Sequence, residues 1–90
     1  MEFEYDENKS RINKAKHGIS FEESQNLWLN EDAIVVPENT IDGETRYALI
    51  SILKEKCYVA IFIFRNVKYR IISVRRCRRN EEKNYEKSNN

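Results

Sequence analysis

The sequence predicts an α+β domain in which two helices pack on one face of an antiparallel β-sheet, with a short N-terminal strand before them and a short helix at the C-terminus. Two observations predict it. The first third of the chain is polar and punctuated by helix caps, whereas residues 33–74 hold apolar, β-branched and aromatic runs broken by short polar turns. Grouping helices first and strands afterwards is the pattern of α+β rather than of alternating α/β architecture. Ninety residues leave room for one domain, taken as 1–90 with a tail that frays from about residue 86.

Phe3 and Tyr5 alternate with acids and predict the first strand. Asp6 is placed to cap a helix that runs to about His17, where Gly18 stops it. This helix is polar except for a thin apolar edge, Ile12 and Ala15. Ser20 and Glu23 form an S-x-x-E capping box for a second helix. Phe21, Ser24, Gln25 and Trp28 fall at helical spacing with Leu27 beside them, which makes Phe21 and Trp28 core anchors.

Residues 33–36 predict a short strand ended by Pro37, and residues 39–43 a polar loop. Residues 46–53, 57–64 and 69–74 predict three consecutive strands of a meander. Residues 57–64 are apolar on both faces and therefore central. Residues 80–85 predict the last helix. The face of the sheet opposite the first two helices is expected to be free for a partner or substrate.

Charge is segregated along the chain. Residues 65–79 carry seven basic side chains (Arg65, Lys68, Arg70, Arg75, Arg76, Arg78, Arg79) and no acid, while residues 1–64 hold 7 Lys or Arg against 12 Asp or Glu. The formal net charge of +1 conceals this division. Guanidinium groups match phosphate oxygens and stay charged when partly buried, so the pattern points to a phosphodiester backbone. Solvated strand ends or ion pairs with the chain's own acids are the alternative reading. No signal peptide and no apolar stretch near 18 residues are present, so a soluble cytoplasmic chain with no membrane partner is expected. Cys57 and Cys77 lack CxxC spacing and are expected to be small apolar residues with free thiols in a reducing compartment. With His17 as the single histidine, neither a metal nor another cofactor is expected.

Three segments together resemble the BrnT family of bacterial type II toxins: F-E-Y-D-E-N-K-S-R-I-N-K-A-K-H-G-I-S-F-E-E-S at 3–24, G-E-T-R at 43–46, and R-N-V-K-Y-R-I-I-S-V-R-R-C-R-R-N-E-E-K-N-Y at 65–85. Ser51, Val74, Cys77 and the Arg78–Arg79 pair depart from the family's usual residues and read as packing or surface changes. The resemblance implies a RelE-like fold and endoribonuclease activity that arrests translation. It also implies a cognate BrnA-like antitoxin with a ribbon-helix-helix domain, held in a 2:2 complex that alone contacts operator DNA.

Cleaving RNA without a metal requires a base for the 2′-hydroxyl, cations for the phosphorane and an acid for the 5′-oxygen. The expected catalytic set is Arg65, Arg75, Arg76, Glu44, Arg46 and His17. Strand alternation puts Arg75 with Tyr69, Ile71 and Ser73, and Arg76 with Arg70, Ile72 and Val74. Arg75 is favoured as the phosphate ligand, with Arg76 in an ion pair with an acid such as Glu81. Glu44 and Arg46 share a face as a base held ionised by its neighbour, or as a salt bridge. His17 suits proton transfer, and equally suits capping its helix. Lys16, Arg70, Arg78, Arg79 and Tyr85 are expected RNA contacts, Lys16 and Tyr85 having a solvated-face and an anchoring alternative. A non-catalytic module that binds nucleic acid or an antitoxin is the competing function.

Overall fold

The computed structural model describes residues 1–90 and is a five-stranded sheet with three helices. In chain order these are β1 (Glu2–Glu4), α1 (Glu7–His17), α2 (Phe21–Ser24, continued by a 3₁₀ segment, Gln25–Leu29), β2 (Ile34–Ile41), β3 (Glu44–Leu53), β4 (Lys56–Arg65), β5 (Lys68–Arg76) and α3 (Arg79–Ser88). The strand order is β1-β5-β4-β3-β2. The antiparallel meander from β2 to β5 follows the expectation, with β4 in the middle. The sheet is mixed, because β1 joins the edge of β5 in parallel. A strand separated from its neighbour by both helices is not limited to the antiparallel pairing a hairpin imposes. No helix is long and apolar enough to cross a membrane.

Pro37 does not end β2. The strand continues to Ile41 through a register shift between Pro37 and Asn39 and turns at Asp42 and Gly43, which have positive φ. Proline survives there because β2 is an edge strand with no second neighbour to receive its missing N–H. The loop expected at 39–43 is therefore mostly strand. Helix α3 is longer at both ends than residues 80–85, and the segment expected to fray from residue 86 is helical to Ser88.

Helix α1 starts at Asp6, whose side chain accepts from the Lys9 N–H at 3.1 Å, and ends at left-handed Gly18. Its docking face is not its thin apolar edge. Ile12 is 64% exposed and Ala15 is exposed, while Ser10 and Asn13 are buried. The Asn13 amide behaves as a short strand against β5, accepting from the Val74 N–H (3.2 Å) and donating to the Val74 carbonyl (2.9 Å) and the Ile19 carbonyl (2.8 Å). Ser10 Oγ accepts from the Phe21 N–H at 2.9 Å. The uncovered edge of β5 beyond β1 thus has its backbone satisfied by a side chain, which an apolar contact could not do.

The Ser20–Glu23 capping box forms as expected, and Lys14 closes on Glu23 at 2.7 Å. That hydrogen bond, with the Ser20 N–H, holds the Glu23 carboxyl at about 2. The core lies between α1/α2 and the sheet: Phe21, Leu27, Leu49, Ala60, Phe62, Ile71 and Val74 are buried, and Trp28 packs edge-on against Phe3 (4.9 Å) and Phe62 (5.4 Å). Ser51, fully buried, donates to the Leu27 carbonyl and accepts from Asn30, so its hydroxyl is satisfied.

A second, smaller apolar cluster lies on the other face, where Ala48, Ile50, Cys57 and Val59 pack with Tyr85 and Cys77. Cys57 and Cys77 form a disulfide with Cα atoms 5.3 Å apart, which corrects the expectation of free thiols. Tyr58 pairs with Arg76, so the next residues outward face each other, and the Cys77 N–H donates to the Cys57 carbonyl at 2.9 Å. A sequence separation of 20 conceals what strand register makes adjacent.

Candidate nucleic-acid interface

One irregularity in β5 decides which arginine faces where. Ser73 pairs with Ile61 and Ile71 with Phe62, leaving Ile72 as an extra residue. Such a bulge reverses the alternation beyond it. Tyr69, Ile71, Val74 and Arg76 therefore lie on the α1/α2 side, and Arg70, Ser73 and Arg75 on the other. The uninterrupted alternation expected for 69–76 is corrected accordingly.

The assignment of the ion pair is also reversed. Arg75, not Arg76, meets Glu81 through two parallel hydrogen bonds, both 2.8 Å, with 21% and 15% of the two side chains exposed. This fork keeps Arg75 firmly protonated and holds Glu81 below the usual carboxylate range, helped by the Arg78 N–H. Arg76 is exposed on the helix side, where its guanidinium lies 5.6 Å from the Tyr58 ring centroid and its Nε donates to the Cys57 carbonyl. Tyr85 is an anchor: its ring packs on the second cluster and its hydroxyl accepts from Asn30 at 2.9 Å. Asn89 donates to the Asp32 carbonyl, so α3 crosses from the end of β5 to the start of β2. It covers that end of the sheet face and leaves the other end uncovered.

The uncovered end gathers half of the remaining candidates. In one row across the sheet, Ile63 of β4 pairs with Arg70 of β5, which pairs with Glu4 of β1. Arg46 of β3, preceding the Tyr47–Phe62 pair, stands on the other side of Ile63. In the next row Arg65 pairs with Lys68 and carries Glu44 at 3.8 Å. Glu44 thus approaches Arg65 rather than Arg46, which has no carboxylate within 4.0 Å. Arg70 meets Glu4 at 3.9 Å. At these lengths and exposures an ion pair contributes under about 1 kcal/mol, so an incoming phosphate displaces little. Two strand spacings put Arg46 and Arg70 roughly 10 Å apart, within reach of one phosphate above Ile63.

Lys16 and His17 lie elsewhere. They line a cleft of about 190 Å³ with Lys9, Ile12, Asn13, Phe21, Ile72 and Ser73, between α1 and the β5 bulge. Arg78 is the N-cap residue of α3 and Arg79 its exposed first residue. No group of three or more His, Cys, Asp or Glu side chains is arranged to hold a metal ion. Sequence reasoning counted Lys68 as charge but did not single it out, and missed Asn13, whose one signal is an amide amid a polar helix with too thin an apolar edge.

Fold and charge together define a small α+β domain with an arginine-lined sheet face. Comparison with known families narrows this: the family described as "Ribonuclease toxin, BrnT, of type II toxin-antitoxin system" matches residues 5–81. The chain belongs to the BrnT family, and its function is that of a ribonuclease toxin of a type II toxin-antitoxin system, a family that implies an antitoxin partner. No curated protein matches the chain.

Proposed function

We propose that the chain is a RelE-like, metal-independent endoribonuclease that arrests translation, with its phosphate site at the uncovered end of the sheet. The observation that carries this reading is the set of cations around Ile63: Arg46, Arg70, Arg65 and Lys68, held by at most long, exposed ion pairs. Glu44 takes the proton of the 2′-hydroxyl, the 2′-oxygen bonds to phosphorus, and the P–O5′ bond breaks with the 5′-oxygen protonated by solvent. Arg46 and Arg70 hold the phosphorane oxygens, and Arg65, 3.8 Å from Glu44, orients its carboxylate. Arg75 and Tyr85 hold α3 in place and do not touch the substrate. The antitoxin is a BrnA-like ribbon-helix-helix protein in a 2:2 complex, through which alone operator DNA is bound. It covers the same sheet face, so antitoxin and RNA exclude each other.

The test is incubation of the purified chain with end-labelled RNA in EDTA, with and without translating ribosomes. Cleavage leaving 2′,3′-cyclic phosphate ends, lost in Arg46→Ala and Arg70→Ala but kept in Arg75→Ala, is the expected result. Cleavage that stops in EDTA and returns with a divalent cation overturns the metal-independent mechanism. Full activity in both open-end variants overturns the site.

A further inference from the structure

Three features meet at the β4–β5 turn. Phe64 is 52% exposed, although the other aromatic side chains of the sheet, Phe3, Tyr47, Tyr58, Phe62 and Tyr69, are buried or half-buried. Its ring lies tilted against Tyr69 at a centroid distance of 5.0 Å, with about half of the residue open to solvent. Both turn residues, Asn66 and Val67, have positive φ (54° and 57°), as do those of the β2–β3 and β3–β4 turns, but here one of them is β-branched Val67, 76% exposed. A β-branched residue in the left-handed region is strained, and strain of this kind concentrates at functional segments. Arg65 and Lys68 flank the turn on the opposite face of the same two strands.

An exposed aromatic beside cations, at the end of an arginine-lined face, matches the chemistry of single-stranded nucleic acid. Cations follow the phosphates while an unpaired base stacks on the ring. An acidic partner would engage the cations but has no need of an open aromatic face. A purely apolar partner would leave Lys68 desolvated without a counter-charge.

We propose that the β4–β5 turn is a stacking site for one unpaired nucleobase of single-stranded RNA, with Phe64 as the platform and Arg65 and Lys68 on the adjoining phosphates. This inference rests on the RNA face proposed above and extends it around the tip of the hairpin. It makes unpaired RNA the substrate class, since a base within a duplex has no free face to offer.

The probe is a short single-stranded 2′-O-methyl RNA, which cannot supply the nucleophile, carrying one 5-iodouridine for photocrosslinking. A fully paired duplex of the same sequence is the comparison. The wild-type chain is expected to prefer the single strand and to crosslink at Phe64. Phe64→Leu is expected to lower affinity roughly five- to hundredfold and abolish that crosslink. The slope of log affinity against log salt stays unchanged, because no phosphate contact is removed. Phe64→Tyr retains both affinity and crosslink, and the thermal midpoint of each variant reports its folding.

Undiminished affinity in folded Phe64→Leu, with the crosslink at another residue, overturns the stacking site while leaving the RNA face intact. The same result with weakened antitoxin capture assigns the patch to the protein partner and overturns it equally. If the wild-type chain binds neither single strand nor duplex, the RNA face itself fails, and the stacking site with it.

Discussion

Arg70 and Arg75 lie five residues apart on one strand and, because of the bulge at Ile72, on the same sheet face. Their surroundings differ in every respect that matters. Arg75 sits under α3 and is held by both oxygens of Glu81 at 2.8 Å, with most of both side chains out of solvent. Arg70 stands at the uncovered end with one long contact to Glu4 at 3.9 Å. A guanidinium already forked onto a carboxylate has its charge and donor geometry committed, and freeing it leaves a partly buried carboxylate without a partner. One that is loosely paired in water loses almost nothing when a phosphate arrives. Basic sequence therefore divides into structural and available arginines according to the geometry of the nearest acid.

Five measurements test that division, in order of decreasing effect. Arg46→Ala and Arg70→Ala should each reduce the rate of RNA cleavage about 10²–10³-fold, on the scale of losing one transition-state donor, without lowering the thermal midpoint. A midpoint that falls with the rate would merge the two classes of arginine. Reducing the Cys57–Cys77 disulfide with a dithiol should cost about 3 kcal/mol in a denaturant titration, because the cross-link restrains a loop of this order in the unfolded chain. The uncovered end should keep its RNA affinity in the reduced, folded protein.

Arg75→Ala should cost about 1–3 kcal/mol of stability, chiefly through the stranded Glu81, with activity per folded molecule retained. The pair also has a pH signature. The folded pKa of Glu81 lies below the ordinary 4.5, so its stabilisation is fully present above that value and is lost as pH falls through the lowered one. Thermal midpoints measured against pH should show Glu81→Gln with a flatter acid limb than wild type. An identical limb would mean that the fork contributes nothing. The smallest effect is expected from Glu4→Gln, under about 0.5 kcal/mol, because its pair with Arg70 is long and solvated.

Local rules made much of the chain legible. Asp6, Gly18 and the Ser20–Glu23 box act over three or four residues, and the structure has those caps. Apolar runs located β3, β4 and β5 within a few residues, because a central strand has to be apolar whatever its partners. The charge contrast between residues 1–64 and 65–79 marked the basic strand, and three motifs carried the resemblance to the family that matches residues 5–81.

Other features depended on residues distant in the chain. Strand alternation has a period of two, so one unpaired residue, Ile72, inverts every inference drawn across it, and no pattern within β5 announces the bulge. Asn13 reads as one more polar helical residue until Val74, 61 positions away, presents an unpaired strand edge. Cys57 and Cys77 read as isolated thiols until the β4–β5 register sets them opposite each other. Which guanidinium meets Glu81 followed from the bulge and from the path of α3 together. Caps, propensities and hydrophobic runs are short-range and additive, so they survive in one dimension. Register, edge satisfaction and charge pairing depend on what lies across the sheet, and they exist only once the chain has closed on itself.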